Sequence, residues 1–152
     1  MEIGQEDVKK ILPHRDPFLF VDVITRVDLA QMCLTGTRFI SPDDPIFAGH
    51  FPGDPVYPGV LQLEVMGQFG ICLAHFVHGK STAVGSEHVP RAVRAIKVHH
   101  AAFLDGVKPS ELLTVHAKVV DYDEFTATCA GQLLGQDGTI KTVSAMEVYF
   151  LD

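Results

Sequence analysis

The sequence predicts one α+β domain in which an antiparallel sheet of about five or six strands wraps around a single long central helix. Two observations carry this prediction. The segment from Val60 to about Val77 is apolar on nearly every face, as expected of a helix buried on all sides. The segments on both sides of it are rich in β-branched and aromatic residues, which favours strands. The chain has 152 residues, a length that fits a single domain over residues 1–152.

The N-terminal third predicts a short helix followed by two strands. Gln5–Leu12 carries its apolar residues on one face, and Pro13 ends this helix. Phe18–Val27 and Met32–Phe39 are the two strand candidates. The segment 41–58 that follows contains five prolines, which exclude regular structure, together with several large apolar residues. Long irregular segments of this kind in compact domains are usually functional.

Four more strands are predicted after the central helix. The sequence His78-Gly79-Lys80 predicts the end of that helix, with a glycine suited to its C-terminal cap. Turn residues at 136–138 predict a hairpin between the last two strands. The strand candidates are Ala92–His99, Glu111–Asp121, Phe125–Leu134 and Thr139–Leu151.

Composition and charge exclude several classes of function. The net charge of −7 argues against nucleic acid as a partner, because phosphate contacts require clustered Lys and Arg. We find no signal-peptide pattern and no apolar run of membrane-spanning length, so we expect no membrane insertion and a cytoplasmic location. The spacing of the three cysteines and eight histidines predicts no metal site, and we expect no cofactor. The low charged share, 20%, favours an oligomer.

Two polar side chains stand out from this apolar background. His50 lies in the segment Phe47–Gly53, where glycines and a proline fix the backbone and phenylalanines exclude water. Glu64 lies on the buried helix, where a carboxylate requires a partner or a chemical role. Gln68 follows four residues later and therefore shares a helix face with Glu64. A polar seam is thus predicted on an otherwise apolar helix.

The start of this helix offers a third group. Pro58 suits the first turn, and Gly59 lets the backbone approach a ligand closely. The amides of Gly59 and Val60 lack acceptors within the helix and lie at the positive end of its dipole. We therefore expect this amide pair to be free to donate to a carbonyl oxygen.

Four segments together carry a family resemblance. They are Leu12–Phe18 (LPHRDPF), Gly49–Pro55 (GHFPGDP), Pro58–Glu64 (PGVLQLE) and Gly67-Gln68. Their combination resembles the 3-hydroxyacyl-[acyl-carrier-protein] dehydratases of type II fatty acid synthesis, which are hotdog-fold proteins. The resemblance is dense from Leu12 to Gln68 and looser over nearly all of the chain.

The resemblance implies an activity and a role for each residue. We expect dehydration of (3R)-3-hydroxyacyl thioesters on acyl carrier protein to trans-2-enoyl thioesters, in a fatty acid pathway or a related polyene or polyketide pathway. His50 corresponds to the catalytic histidine that abstracts the C2 proton, and Glu64 to the carboxyl group that helps to expel the hydroxyl as water. Glu64, rather than Asp, favours simple dehydration without double-bond isomerisation. The expected substrate-binding residues are Phe51, Tyr57, Pro58, Gly59, Val60 and Gln68.

Partners also follow from the resemblance. In this family the histidine and the carboxyl group of one site come from different subunits, so we expect a homodimer with shared active sites, which some members assemble into a trimer of dimers. Arg91, Arg94 and Lys97 form a basic cluster. The simple interpretation is a solvated strand face, and the sharper one is docking of an acidic carrier protein. His14 and Arg15 are expected to hold the N-terminal turn.

Two other functions remain open from the sequence. The first is a non-catalytic or partner-dependent hotdog subunit that forms a heterodimer with a related chain. Loss of His50 or Glu64 would indicate such a subunit, and both are present. The second is an acyl thioesterase, which shares the fold and a helix bearing a carboxylate but lacks the GHFPG…PGV pattern.

Overall fold

A seven-stranded antiparallel sheet surrounds one long helix in the computed structural model, which describes residues 1–151. The strand order is β1-β2-β3-β5-β6-β7-β4. The predicted α+β architecture is thus observed, with more strands than the five or six expected. The strands are β1 (Ile3–Gly4), β2 (Val23–Asp28), β3 (Cys33–Phe39), β4 (Val93–Phe103), β5 (Leu112–Tyr122), β6 (Thr126–Leu134) and β7 (Ile140–Phe150). The helices are α1 (Gln5–Val8) and α2 (Gly59–Gly79).

The N-terminal elements are shorter than predicted. Helix α1 ends at Val8 rather than Leu12, although the turn that follows still buries Ile11 and Leu12. The predicted strand from Phe18 begins only at Val23. The backbone before it bonds to the side chain of Gln68 on α2 instead of to a neighbouring strand, through the Phe18 carbonyl and the Phe20 amide. The additional strand, β1, pairs with β2.

The proline-rich segment contains regular structure after all. A 3-10 helix spans Pro45–Ala48, and the Asp44 side chain caps it by accepting from the Ile46 amide at 2.9 Å. Proline is tolerated at the first position of such a helix because its missing N–H would have no acceptor there. This short helix ends at Ala48, two residues before His50, whose amide donates to the Ile46 carbonyl at 3.1 Å.

Helix α2 forms the core against the inner face of the sheet. Val65, Phe69, Cys72 and Phe76 are fully buried along it. The residue in the left-handed conformation at its C-terminus is Lys80, with φ 50°, and not the predicted Gly79. Contrary to expectation, α2 is long and apolar enough to span a membrane, but 67% of its most apolar window is buried within the protein, as in the core helix of a globular protein.

Strand β4 lies at an edge of the sheet and exposes apolar side chains. It pairs with β7 and with no other strand among residues 1–151, and it extends to Phe103 instead of the predicted His99. Ile96, Val98 and Phe103 are each more than half exposed. An exposed edge with unpaired backbone groups is a template for pairing with another strand.

Candidate active site

The backbone around His50 fixes the orientation of its ring. The Nδ1 atom lies 2.7 Å from the carbonyl oxygen of Val56, and the Val56 amide donates to the His50 carbonyl at 2.9 Å. Because a carbonyl can only accept, Nδ1 carries the proton, and Nε2 of the neutral ring is left with a lone pair. The ring also stacks on Phe51, with centroids 4.0 Å apart. His50 is therefore held as a proton acceptor.

His50 opens onto a cavity of about 670 Å³ at the N-terminus of α2. Gly59 and Phe103 lie close together in its lining, and a Cβ atom added at Gly59 would lie 2.7 Å from the Phe103 ring. Only glycine allows the ring to lie this close to the helix. The lining residues are His50, Val56, Tyr57, Gly59, Val60, Gln62, Phe103, Leu104, Asp105 and Gly106.

The first two amides of α2 are unpaired, as the sequence predicts. The amides of Leu61 and Gln62 donate to the Pro58 carbonyl at 3.0 and 3.1 Å. Those of Gly59 and Val60 have no acceptor within residues 1–151. Both residues line the His50 cavity. Free amides at the positive end of a helix can stabilise an oxygen that gains negative charge.

Tyr57 borders this cavity, but only 1% of its surface is exposed. Its amide donates to the Val107 carbonyl at 2.8 Å, and its carbonyl accepts from Nε2 of Gln62 at 3.0 Å. Burial raises the pKa of the Tyr57 phenol, and its hydroxyl has no partner among the described residues. Gln62 also accepts a hydrogen bond from the Thr142 hydroxyl. These contacts were not predicted from the sequence, although a glutamine on an otherwise apolar helix indicates a specific polar contact.

Glu64 lines a different cavity, of about 260 Å³. Its Oε1 atom lies 2.9 Å from Nε2 of Gln68 and 3.3 Å from Nε2 of His14. Gln68 is fully buried and also bonds to the Phe18 carbonyl and the Phe20 amide. Its amide therefore anchors the N-terminal segment and Glu64 together. The other lining residues are Val60, Leu63, Gly67, Ile71, Val93, Ala95, Val98, Met146 and Val148.

The two cavities share Val60 and no other lining residue within the described chain. Val60 lies between them and is 72% exposed. One chain therefore holds two half-sites, one with His50 and one with Glu64, and does not combine the two groups in a single cavity.

The remaining predicted residues lie outside both cavities. Pro58 is the N-cap of α2, where its carbonyl accepts the first helical bonds. The Arg91 guanidinium lies 4.4 Å from the centroid of the Phe150 ring. Arg94 and Lys97 lie on β4 opposite Tyr149 and Glu147 of β7. No group of three or more potential metal ligands occurs among residues 1–151.

His14 makes a contact that was not predicted from the sequence. Arg15 holds the turn as expected, by donating to the carbonyls of Lys9, Leu12 and His14 at 2.9, 2.8 and 2.7 Å. His14, however, reaches Glu64 on α2. The residues are 50 positions apart, so only the LPHR motif could have indicated the contact.

Comparison with known proteins identifies the family. Residues 12–144 match the family model described as FabA-like domain. Enzymes named 3-hydroxyacyl-[acyl-carrier-protein] dehydratase FabZ are 40% identical in Campylobacter jejuni (74% of each chain covered) and 38% identical in Sulfurimonas denitrificans (75% of this chain and 74% of the relative).

Solved structures support the fold. One is the dehydratase heterocomplex ApeI:P from Xenorhabdus doucetiae, with a TM-score of 0.71 at 17% identity over 95% of this chain and 91% of the other. A hypothetical thioesterase with coenzyme A from Streptococcus pneumoniae follows, with a TM-score of 0.60 at 11% identity over 84% of each chain. The hotdog fold and the family resemblance expected from the sequence are thereby confirmed. The chain belongs to the FabA-like family.

Proposed function

We propose that this chain dehydrates (3R)-3-hydroxyacyl thioesters on acyl carrier protein to trans-2-enoyl thioesters, with His50 and Glu64 as the catalytic groups. The observation that carries the proposal is the His50 half-site. Its Nε2 is left as a base by the bond from Nδ1 to Val56, and the free amides of Gly59 and Val60 line the same cavity. The relatives named as dehydratases support the same reaction.

The reaction follows from these groups. Nε2 of His50 takes the C2 proton while the amides of Gly59 and Val60 polarise the thioester carbonyl. Protonated Glu64 gives its proton to the C3 hydroxyl, the C3–O bond breaks, and water leaves as the C2–C3 double bond forms. His50 is then protonated and Glu64 ionised. Loss of a proton from the histidine and uptake of one by the carboxylate complete the cycle.

Dimerisation through β4 would join the two half-sites. Phe103, at one end of the strand, borders the His50 cavity, whereas Val93 and Ala95, at the other end, border the Glu64 cavity. Antiparallel pairing of two β4 strands about a two-fold axis near Val98 brings Phe103 of one chain beside Val93 of the other. Each His50 would then face the Glu64 of a second copy.

The other predicted residues fit this arrangement. Phe51 supports the His50 ring, Tyr57 and Pro58 shape the cavity through their backbone, and Gln68 acts on the substrate through Glu64. Arg91 and Arg94 flank Val93, so in the paired dimer they would lie near the mouth of the other subunit's His50 cavity. Together with Lys97 they are placed to dock an acidic carrier protein.

Assembly and location are part of the proposal. We favour a homodimer in the cytoplasm, with a trimer of dimers as the higher assembly. A heterodimer with a related hotdog chain is the second candidate, because each chain holds incomplete half-sites and one similar structure is a heterocomplex. No cofactor takes part in the reaction as written.

The test is the mass of the product. The purified chain is incubated with 3-hydroxyacyl carrier protein, and loss of one water is followed by intact-mass spectrometry for wild type, His50→Ala and Glu64→Gln. We expect each substitution to lower kcat by about 10²–10⁴-fold in a folded protein. A wild-type chain that is inert over a range of chain lengths contradicts catalysis by the isolated chain. Release of a free acid would favour the thioesterase instead.

A further inference from the structure

The carboxyl group of Glu64 is held by one oxygen only. Gln68 donates to Oε1 at 2.9 Å, and Nε2 of His14 lies 3.3 Å from the same atom. No residue of the described chain bonds to Oε2. The two contacts therefore fix the plane of the carboxyl group and leave Oε2 free for a substrate.

His14 reaches Glu64 because its turn is rigid. Arg15 donates to three backbone carbonyls of this turn, and the Phe18 ring stacks on the imidazole with centroids 6.4 Å apart. Gln68 binds the backbone at Phe18 and thereby fastens the same turn to α2. The His14 side chain is 20% exposed and that of Glu64 31%.

His14 and Glu64 lie side by side in the lining of an apolar cavity. Of the side chains that line it within residues 1–151, only His14 and Glu64 titrate or carry charge, and the others from α2, β4 and β7 are aliphatic, glycine or methionine. The guanidinium of Arg15, on the same turn, donates to backbone carbonyls. Within one chain, His14 is therefore the titratable group that lines this cavity with Glu64, and in the proposed dimer His50 of the second copy would face Glu64 as well.

The environment of Nδ1 selects one form of the His14 ring. This atom is buried and has no hydrogen-bond partner among residues 1–151. A proton there would leave a buried N–H without an acceptor, which is costly. The neutral ring therefore carries its proton on Nε2, which lies 3.3 Å from Oε1 of Glu64, slightly beyond the usual length of an N–H···O bond. An imidazolium would instead act as a counter-ion and hold the carboxyl group ionised.

We propose that His14 is a positioning residue for Glu64. As a neutral Nε2–H donor 3.3 Å from Oε1, it closes to a hydrogen bond beside that of Gln68 when substrate binds, so that Oε2 can carry the proton that the reaction consumes. This inference rests on the proposed function, because it assigns Glu64 the role of proton donor.

Kinetics separate this role from a merely structural one. His14→Leu removes the donor and is expected to lower kcat about tenfold with little change in KM, the effect of losing one hydrogen bond between neutral groups. His14→Gln keeps a neutral N–H and should restore most of kcat. His14→Lys should move the alkaline limb of the pH–kcat profile to lower pH, because a cation favours the ionised carboxyl group.

The matched control is His116→Leu. This histidine lies on the outer side of the sheet, with Nδ1 3.0 Å from the Thr35 hydroxyl, and its loss should leave the profile unchanged. If folded His14→Leu keeps the wild-type kcat and profile, the positioning role is wrong.

A second readout does not depend on turnover. In protein labelled with ¹⁵N-histidine, the His14 signals, assigned by their absence in His14→Gln, should show a protonated Nε2 and a bare Nδ1, and Glu64→Gln should shift Nε2. An imidazolium or the Nδ1–H tautomer overturns the inference even in an active enzyme. If the His14 ring shows the expected tautomer but the chain dehydrates no substrate, the proposed function is wrong. The inferred contact between His14 and Glu64 would still stand.

Discussion

The two half-sites of this chain are held by different means. The ring of His50 is fixed by a backbone carbonyl and lies beside two backbone amides, whereas Glu64 is fixed by the side chains of Gln68 and His14. His50 is thus positioned by the fold itself, and Glu64 by side chains that can be replaced. Side-chain substitutions can therefore alter the surroundings of Glu64 separately. The surroundings of His50 respond mainly to changes in the backbone or at glycine positions.

The largest loss of activity is expected from a substitution that prevents dimerisation and so separates the His50 and Glu64 half-sites. Ile96→Glu places like charges near the proposed axis of the β4 pair, so we expect a monomer without measurable turnover, since neither half-site is complete alone. Light scattering after size exclusion, together with the mass assay, checks both properties. Val120→Glu is the matched control, because Ile96 and Val120 are both 53% exposed and Val120 lies on β5, an interior strand of the sheet. A monomeric Ile96→Glu that still dehydrates its substrate would contradict the division into half-sites.

Substitution of Gly59 tests the His50 half-site, which is positioned by backbone groups. A Cβ atom there would lie 2.7 Å from the Phe103 ring, so Gly59→Ala must displace the ring or the start of α2. We expect kcat/KM to fall about 10- to 100-fold through misplacement of the amides. Gly79→Ala, at the other end of the same helix and with no atom within 4 Å of the new Cβ, serves as the control. Unaltered kinetics in Gly59→Ala would show that this close approach has no part in the reaction.

Substitution of Gly67 tests whether the shape of the Glu64 cavity matters for activity. Its added Cβ would lie 3.0 Å from Cε of Met146, a flexible group that can yield, so Gly67→Ala should fold and narrow the Glu64 cavity. We expect kcat/KM for the longest acyl chains to fall about tenfold, with short chains affected least. Profiling carrier-bound substrates of increasing length measures this. The double variant Gly67→Ala/Met146→Ala should recover long-chain activity, and an unchanged profile in both variants would exclude this cavity as the acyl site.

The smallest expected effect comes from His75, near the C-terminal end of α2. Its contribution to pH dependence must be distinguished from that of the residues in the two half-sites. Burial, aided by His88 and Arg91, lowers the pKa of His75 to about 4. The unfolded chain binds a proton at this residue more readily, so stability falls as the pH drops from about 6.5 towards about 4. His75→Gln should lose a few degrees less in Tm between pH 7 and pH 5 than wild type. Identical losses in both proteins would remove His75 as the cause.

The parts that the sequence predicted are those encoded locally. The all-apolar pattern of α2 and the motif around His50 each lie within about twenty consecutive residues. The contacts of Gln68 with Phe18 and Phe20 join positions 50 and 48 residues apart, and they bind the first residues of a predicted strand to the helix, so that the strand begins only at Val23. The contact of His14 with Glu64 also joins positions 50 residues apart and was not predicted for the same reason. Separation of His50 and Glu64 into two cavities depends on tertiary packing, which no local pattern records.

The central claim is that His50 and Glu64 of one site come from different chains. It is tested most directly by mixing folded His50→Ala and Glu64→Gln proteins, allowing subunits to exchange, and assaying the isolated mixed dimer. The account predicts that activity returns, because one of the two sites in that dimer combines the intact His50 of one chain with the intact Glu64 of the other. A mixed dimer of verified composition that stays as inactive as either parent would contradict it.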